Sequence, residues 1–222
     1  QLQVSQGKSG FGLGLALGVA AASRAGTFAD RAMRVLSITL WSLPTFWFGL
    51  MLLAAFAVAW PLFPPGAMRS VDADGFGLGR RAVDLLWHLA LPAAAIGLPA
   101  AAATARFVRS TVLERLAEPF VQSARARGLS PHRVLWSHAL RAGLSPLAQL
   151  AGLSLAALLS GTIAVEVVFA WPGIGRTTFD ALVARDYPLL LAGTALSAAF
   201  VLAGSFLAEA LQAWLDPRLR DA

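Results

Sequence analysis

Of 222 residues, 57% are apolar and only 14% charged, and the mean hydropathy is +0.66. That composition excludes a disordered, collagen-like or disulfide-stapled chain and points to a membrane protein. The net charge is +6, and cysteine is absent, which removes disulfides, thiolate metal sites and cysteine nucleophiles.

The first uncharged run, 9–23, has 15 residues and turns apolar at Phe11. It is too short to span a bilayer alone and is expected to be a re-entrant helix or the inner part of a truncated one. Four later uncharged windows, 35–68, 85–105, 142–165 and 187–208, hold 34, 21, 24 and 22 residues. At about 1.5 Å per residue, each is long enough for a hydrocarbon core of roughly 30 Å. Pro44, Pro92, Pro99 and Pro146 are expected to kink or shorten these helices. The run from Ala93 to Ala103 is nearly all alanine and glycine, thin enough to pack closely against a neighbour, and predicts an interior helix. The expected fold is therefore all-α: one polytopic transmembrane domain over 1–222 with about five membrane segments.

The arginines alternate with these windows. Segments 24–34, 106–141 and the C-terminal tail carry twelve, whereas 69–84 and 166–186 carry five that acidic residues largely offset. By the positive-inside rule the first set is cytoplasmic, including the C terminus, so the basic charge reads as topology rather than nucleic-acid binding. Trp60, Trp87, Trp171 and Trp214 stand at or near window ends, as an aromatic belt would.

The longest charged segment, 106–141, reads as two short helices joined by a turn. Pro119 suits a first helical turn, Gly128 a C-terminal stop, and Arg125 and Arg127 complement the helix dipole. Ser130 and Pro131 then open a second helix. The first helix is expected to expose Phe120 and Val121 beside the small pair Ser123 and Ala124, a shape suited to a groove on another protein. The plainer alternative is an amphipathic connector on the headgroups.

These residues resemble a known family. Gln122-Ser-Ala-Arg-Ala-Arg-Gly128 is similar to the Glu-Ala-Ala-three residues-Gly loop of binding-protein-dependent ABC importer permeases, in the dipeptide, oligopeptide and nickel branch. Ser42-Leu-Pro-Thr-Phe-Trp-Phe-Gly49, Ala126-Arg-Gly-Leu-Ser130, Val168-Phe-Ala-Trp-Pro-Gly-Ile-Gly-Arg176, Arg185-Asp-Tyr-Pro188 and Asp216-Pro-Arg218 follow in the same order. Gln122 replaces the superfamily's glutamate, so no acid–base role is read there. Family members carry further upstream sequence, so 222 residues are expected to be an incomplete transmembrane domain.

The resemblance implies a non-enzymatic permease subunit in the bacterial cytoplasmic membrane, probing no cofactor or metal of its own, that moves di- or oligopeptides. Its implied partners are a second permease in a heterodimer, two cytoplasmic ATPase subunits, an extracytoplasmic substrate-binding protein and the lipid bilayer. Pro119, Phe120, Gln122, Ser123, Ala124 and Gly128 would couple it to the ATPases. Glu166, Trp171, Pro172, Gly173 and Gly175 are candidates for an outer gate, with Glu166 and Glu209 expected to snorkel to water from window ends.

Other readings are weaker. Gly7-Lys8-Ser9 lacks the first glycine of a phosphate loop, since position 2 is Leu2. Intramembrane proteolysis would need Ser154 or Ser160 with a histidine, yet His132 and His138 fall in the charged segment. Those two histidines stand six apart, on different helical faces, and do not form a nickel site. A nickel or other small-solute permease is the nearest alternative; a secondary transporter or channel would predict internal repeats, which the sequence lacks.

Overall fold

The structure, a computed structural model, describes residues 2–143, 147 and 163–215, as backbone only at 2–9, 207–209 and 211–215. The described residues are helical, with turns and irregular connections and no strand. Helix α1 spans Leu2–Ser23, α2 Phe28–Ser42 and α3 Thr45–Ala59, whose last six residues widen into a π-helical turn. Helix α4 runs Leu78–Leu116 and α5 Pro119–Ala126; α6 covers 131–142 and widens to π over Leu135–Ala139. After the undescribed stretch come α7 Ile163–Val168, α8 Ile174–Ala184 and α9 Tyr187–Leu215.

Helix α4 is the axis of the fold. Its 39 residues make about 58 Å of helix, nearly twice the hydrocarbon thickness, so it must continue beyond the bilayer. Pro92 and Pro99 lie inside it without ending it. Ala95, Ala101, Ala102 and Ala105 are buried, which bears out the interior helix expected from the alanine run. The charged segment 106–141 is correspondingly more than two short helices, because its first eleven residues extend α4.

Helix α1 lies along α4 in the same direction through Gly10, Gly14 and Gly18, spaced four apart. A Cβ on Gly14 would stand 2.7 Å from the Ala101 carbonyl oxygen, and one on Gly18 2.6 Å from that of Ala105. This is the close small-residue packing that replaces hydrophobic drive inside lipid. Below it, Val19, Ala22, Val108, Val112, Leu135 and Leu147 form one core cluster.

The 35–68 window is not one straight helix. Leu43 precedes Pro44 and is extended at φ −78° and ψ 133°, as steric conflict with the proline ring requires, so α2 ends and α3 starts 102° away from its direction. Phe56 and Leu52 of α3 pack with Leu91, Ala95, Val165 and Phe169 in a second cluster towards the other end of α4. Helices Leu78–Leu116 and Tyr187–Phe206 are each long and apolar enough to cross a membrane, and the bent α2–α3 pair makes up to three spans. The 142–165 window, Pro146, Ser154 and Ser160 fall almost wholly outside the described residues, as do the side chain of Glu209 and those of 211–215.

Candidate functional site

At the C-terminal end of α4, α5 is an eight-residue helix fixed at both ends. Glu118 precedes it in an extended conformation, Pro119 occupies its first turn, and Arg115 forms an ion pair with Glu118. At its far end the Gly128 N–H donates to Arg125 O (2.9 Å) and the Leu129 N–H to Ala124 O (3.4 Å), with Gly128 at φ +80°. That pair of bonds is a Schellman stop, which glycine adopts without steric cost. The Ser130 hydroxyl accepts the Arg133 N–H and so caps α6, with Pro131 first in that helix.

Val121 and Ala124 do not face outward. Both have 0% exposure and pack on Val134, with Leu116 and Leu129 around them. This corrects the expected docking face. Residues three apart share one side of a helix, and α5 turns its small apolar side onto α6 to satisfy its own core. Pro119, Phe120, Gln122, Ser123 and Arg125 remain exposed, and the outer surface is polar apart from the proline and the Phe120 ring. The Ser123 hydroxyl donates to Pro119 O (3.0 Å) and the Gln122 amide to Ala117 O (3.1 Å).

Nearby, Asp30 and Arg109 form a buried pair that reading the windows missed. Arg109 donates Nε to Oδ1 (2.6 Å) and Nη2 to Oδ2 (2.8 Å), and the Gly26 N–H also reaches Oδ2 (2.9 Å). Asp30 lies in the charged 24–34 segment, outside the apolar windows. The Arg109 hydrogen bonds, with that of Gly26, hold its carboxyl down to about 2. A single acid among three arginines was the available signal.

Away from α5, beside the N-terminal half of α4, Glu166 is buried rather than snorkelling to water. Its Oε2 accepts the Arg176 N–H (2.9 Å) in the first turn of α8, where unpaired amides and the helix dipole favour a negative group. Gly173 begins that turn, and a Cβ there would run into the Glu166 carboxylate; one on Gly175 would stand 3.0 Å from it. The structure thus brings Glu166, Gly173 and Gly175 together. Trp171 joins them through its N–H to Glu166 O (2.8 Å), whereas Pro172 is exposed. The preceding Phe169 is fully buried, and its carbonyl accepts the Ala67 N–H (3.0 Å), which straps the 60–77 connection over this turn. Beside the turn, a cavity of about 440 Å³ opens among Pro172, Gly173, Thr177, Thr178, Leu189 and Gly193. A further buried group, Asp84, accepts the Ser70 N–H (2.9 Å) and lies 3.5 Å from His88. Counting His88 as uncharged hid it inside the 85–105 window.

Among the described residues no group of three or more His, Cys, Asp or Glu side chains is placed to hold a metal ion. The profile of binding-protein-dependent transport system inner membrane components matches residues 14–221. The chain belongs to that family. Among its relatives, the chain is 34% identical to the dipeptide transport system permease protein DppB of Escherichia coli strain K12, over 94% of this chain and 66% of that protein. It is 37% identical to the di/tripeptide transport system permease protein DppB of Pseudomonas aeruginosa strain UCBPP-PA14, over 93% and 66%. It is 33% identical to the oligopeptide transport system permease protein AppB of Bacillus subtilis strain 168, over 93% and 64%. The chain thus spans just under two thirds of the length of the curated relatives it matches. As a family member it is a helical inner-membrane component, and both the α5 segment and the Glu166 turn fall within the matched residues.

Proposed function

We propose that this chain is the membrane-spanning subunit of an ATP-driven importer, moving di- or oligopeptides across the bacterial cytoplasmic membrane with its C terminus inside. It performs no chemistry itself; separate ATPase subunits hydrolyse ATP. The observation that carries this reading is α5, a short helix opened by Pro119 and closed by the Gly128 stop, held from beneath by Val121 and Ala124, with Phe120, Gln122, Ser123 and Arg125 on its exposed side.

The mechanism follows from stiffness. A push on α5 from a closing ATPase is passed through Val121, Ala124 and Leu116 to α4, a continuous helix that packs on Val165 and Phe169 through Leu91 and Ala95 near its middle. Those residues adjoin the Glu166 turn, which serves as the outer gate beside the cavity. A second permease in a heterodimer, two ATPases and an extracytoplasmic binding protein complete the assembly. The named relatives support the peptide substrate, and the arginine alternation supports the sidedness.

Co-purification with the ATPase subunits and its loss on deleting 119–128 test the docking assignment. Import of labelled di- and tripeptides into proteoliposomes tests the substrate. Retained ATPase binding after the deletion would overturn the first, and peptide-independent transport of another solute class the second.

A further inference from the structure

Helix α2 lies across α4 rather than along it. Its contacts with α4 side chains converge on one turn: Asp30 meets Arg109, Met33 and Ser37 line a small cavity with Ala105, Arg106 and Arg109, and the Arg106 guanidinium stands 4.7 Å from the Trp41 ring centre. From Asp30 to Trp41 is about 16 Å of helix, whereas Arg106 to Arg109 is about 4.5 Å. Parallel helices would keep step, so α2 crosses α4 steeply, and the 102° break before α3 agrees. The crossing lies where the uncharged 85–105 window ends, at the level of the bilayer surface.

The free side of α2 has two chemistries. At 100° per residue, Phe28, Ala32, Val35, Leu36 and Thr39 fall together, opposite Met33 and Ser37, and all five are exposed. Arg31 lies on one flank, with Arg24 in the preceding turn, and both are exposed. Asp30 does not neutralise them: its carboxylate is clamped by Arg109, and Arg34, on the side towards α4, forms a longer ion pair with it at 3.9 Å. An apolar face with a cationic edge complements an anionic lipid surface.

We propose that α2 is an interfacial helix, seating Phe28, Val35 and Leu36 at the acyl boundary of the cytoplasmic leaflet and binding anionic phospholipid headgroups through Arg24 and Arg31. The leaflet assignment rests on the sidedness proposed above.

The full chain contains no cysteine, so single spin labels at Phe28→Cys, Val35→Cys and Thr39→Cys can be read in phosphatidylcholine/phosphatidylglycerol liposomes. One shallow depth for all three is expected. Depths differing by about 16 Å between the first and last would mean a spanning helix and overturn the proposal. Labels shielded from both oxygen and a water-soluble relaxant would mean that protein covers the face, and would equally overturn it. Equal depths combined with reaction of the cysteines with an impermeant reagent from the extracytoplasmic side would overturn the sidedness instead. For headgroup choice, a fluorophore at Val35→Cys is quenched by brominated phosphatidylglycerol or phosphatidylcholine. Preference for the anionic lipid is expected to fall on the order of fivefold per arginine removed in Arg31→Gln and Arg24→Gln/Arg31→Gln. Equal quenching by both lipids in the unmodified background would overturn the headgroup assignment.

Discussion

Two of the buried carboxylates, Asp30 and Glu166, lie at opposite ends of the described fold and are satisfied in different ways. Asp30 at the inner end is met by a two-pronged guanidinium from α4, which cancels its charge. Glu166 at the outer end is met by a backbone amide at the start of α8, with two glycines making room. A guanidinium clamp ties two long helices together and is hard to open, whereas an amide contact at a helix start opens with a small rotation of that helix. On the function proposed above, the first arrangement transmits force and the second releases it.

The largest effect should follow from breaking the clamp on one side only. Arg109→Leu leaves the buried Asp30 with only the Gly26 N–H and the more distant Arg34 and is expected to cost about 3–5 kcal/mol, while Asp30→Leu/Arg109→Leu recovers much of it. Thermal unfolding of the detergent-solubilised protein measures both; equal losses would mean that the pair is not the clamp. At the outer end, Gly173→Val forces its side chain into Glu166 and should cost on the order of 2–3 kcal/mol, seen in the same assay.

Glu166→Ala removes the acceptor of the Arg176 N–H and is expected to cost about 1–2 kcal/mol, with Glu166→Gln close to the parent. An outer turn more accessible to a water-soluble thiol reagent, read at Pro172→Cys, would accompany the alanine variant and not the glutamine one. Gly128→Val strains a left-handed stop with open space around it, so about 1–3 kcal/mol of local strain is expected without a clash. Membrane insertion should survive while transport per ATP hydrolysed falls; unchanged coupling would count against the α5 assignment. Smallest for stability is Phe120→Ala, within about 1 kcal/mol because the ring is 41% exposed, yet it should weaken ATPase co-purification.

The sequence resolved these two ends unequally. Gly128, Ser130 and Pro119 were legible because capping is local: the residues that stop a helix are within a few positions of the amides they satisfy. The outer constellation was half legible, since Trp171 to Gly175 announced a turn, but the burial of Glu166 depends on α8 folding back over it. The docking face was misread at Val121 and Ala124, whose neighbours Val134 and Leu129 come from the next turn and helix.

Composition, the spacing of uncharged windows and local capping residues determined a helical membrane component with a helix stopped at Gly128, because bilayer thickness and helix caps act over short stretches of chain. Only the tertiary structure decided that Asp30 meets Arg109 79 positions away, that Gly10, Gly14 and Gly18 seat α1 on α4, and that the 35–68 window breaks into two directions. Those outcomes depend on which distant surfaces come within a few ångströms, and no periodicity along the chain encodes that distance.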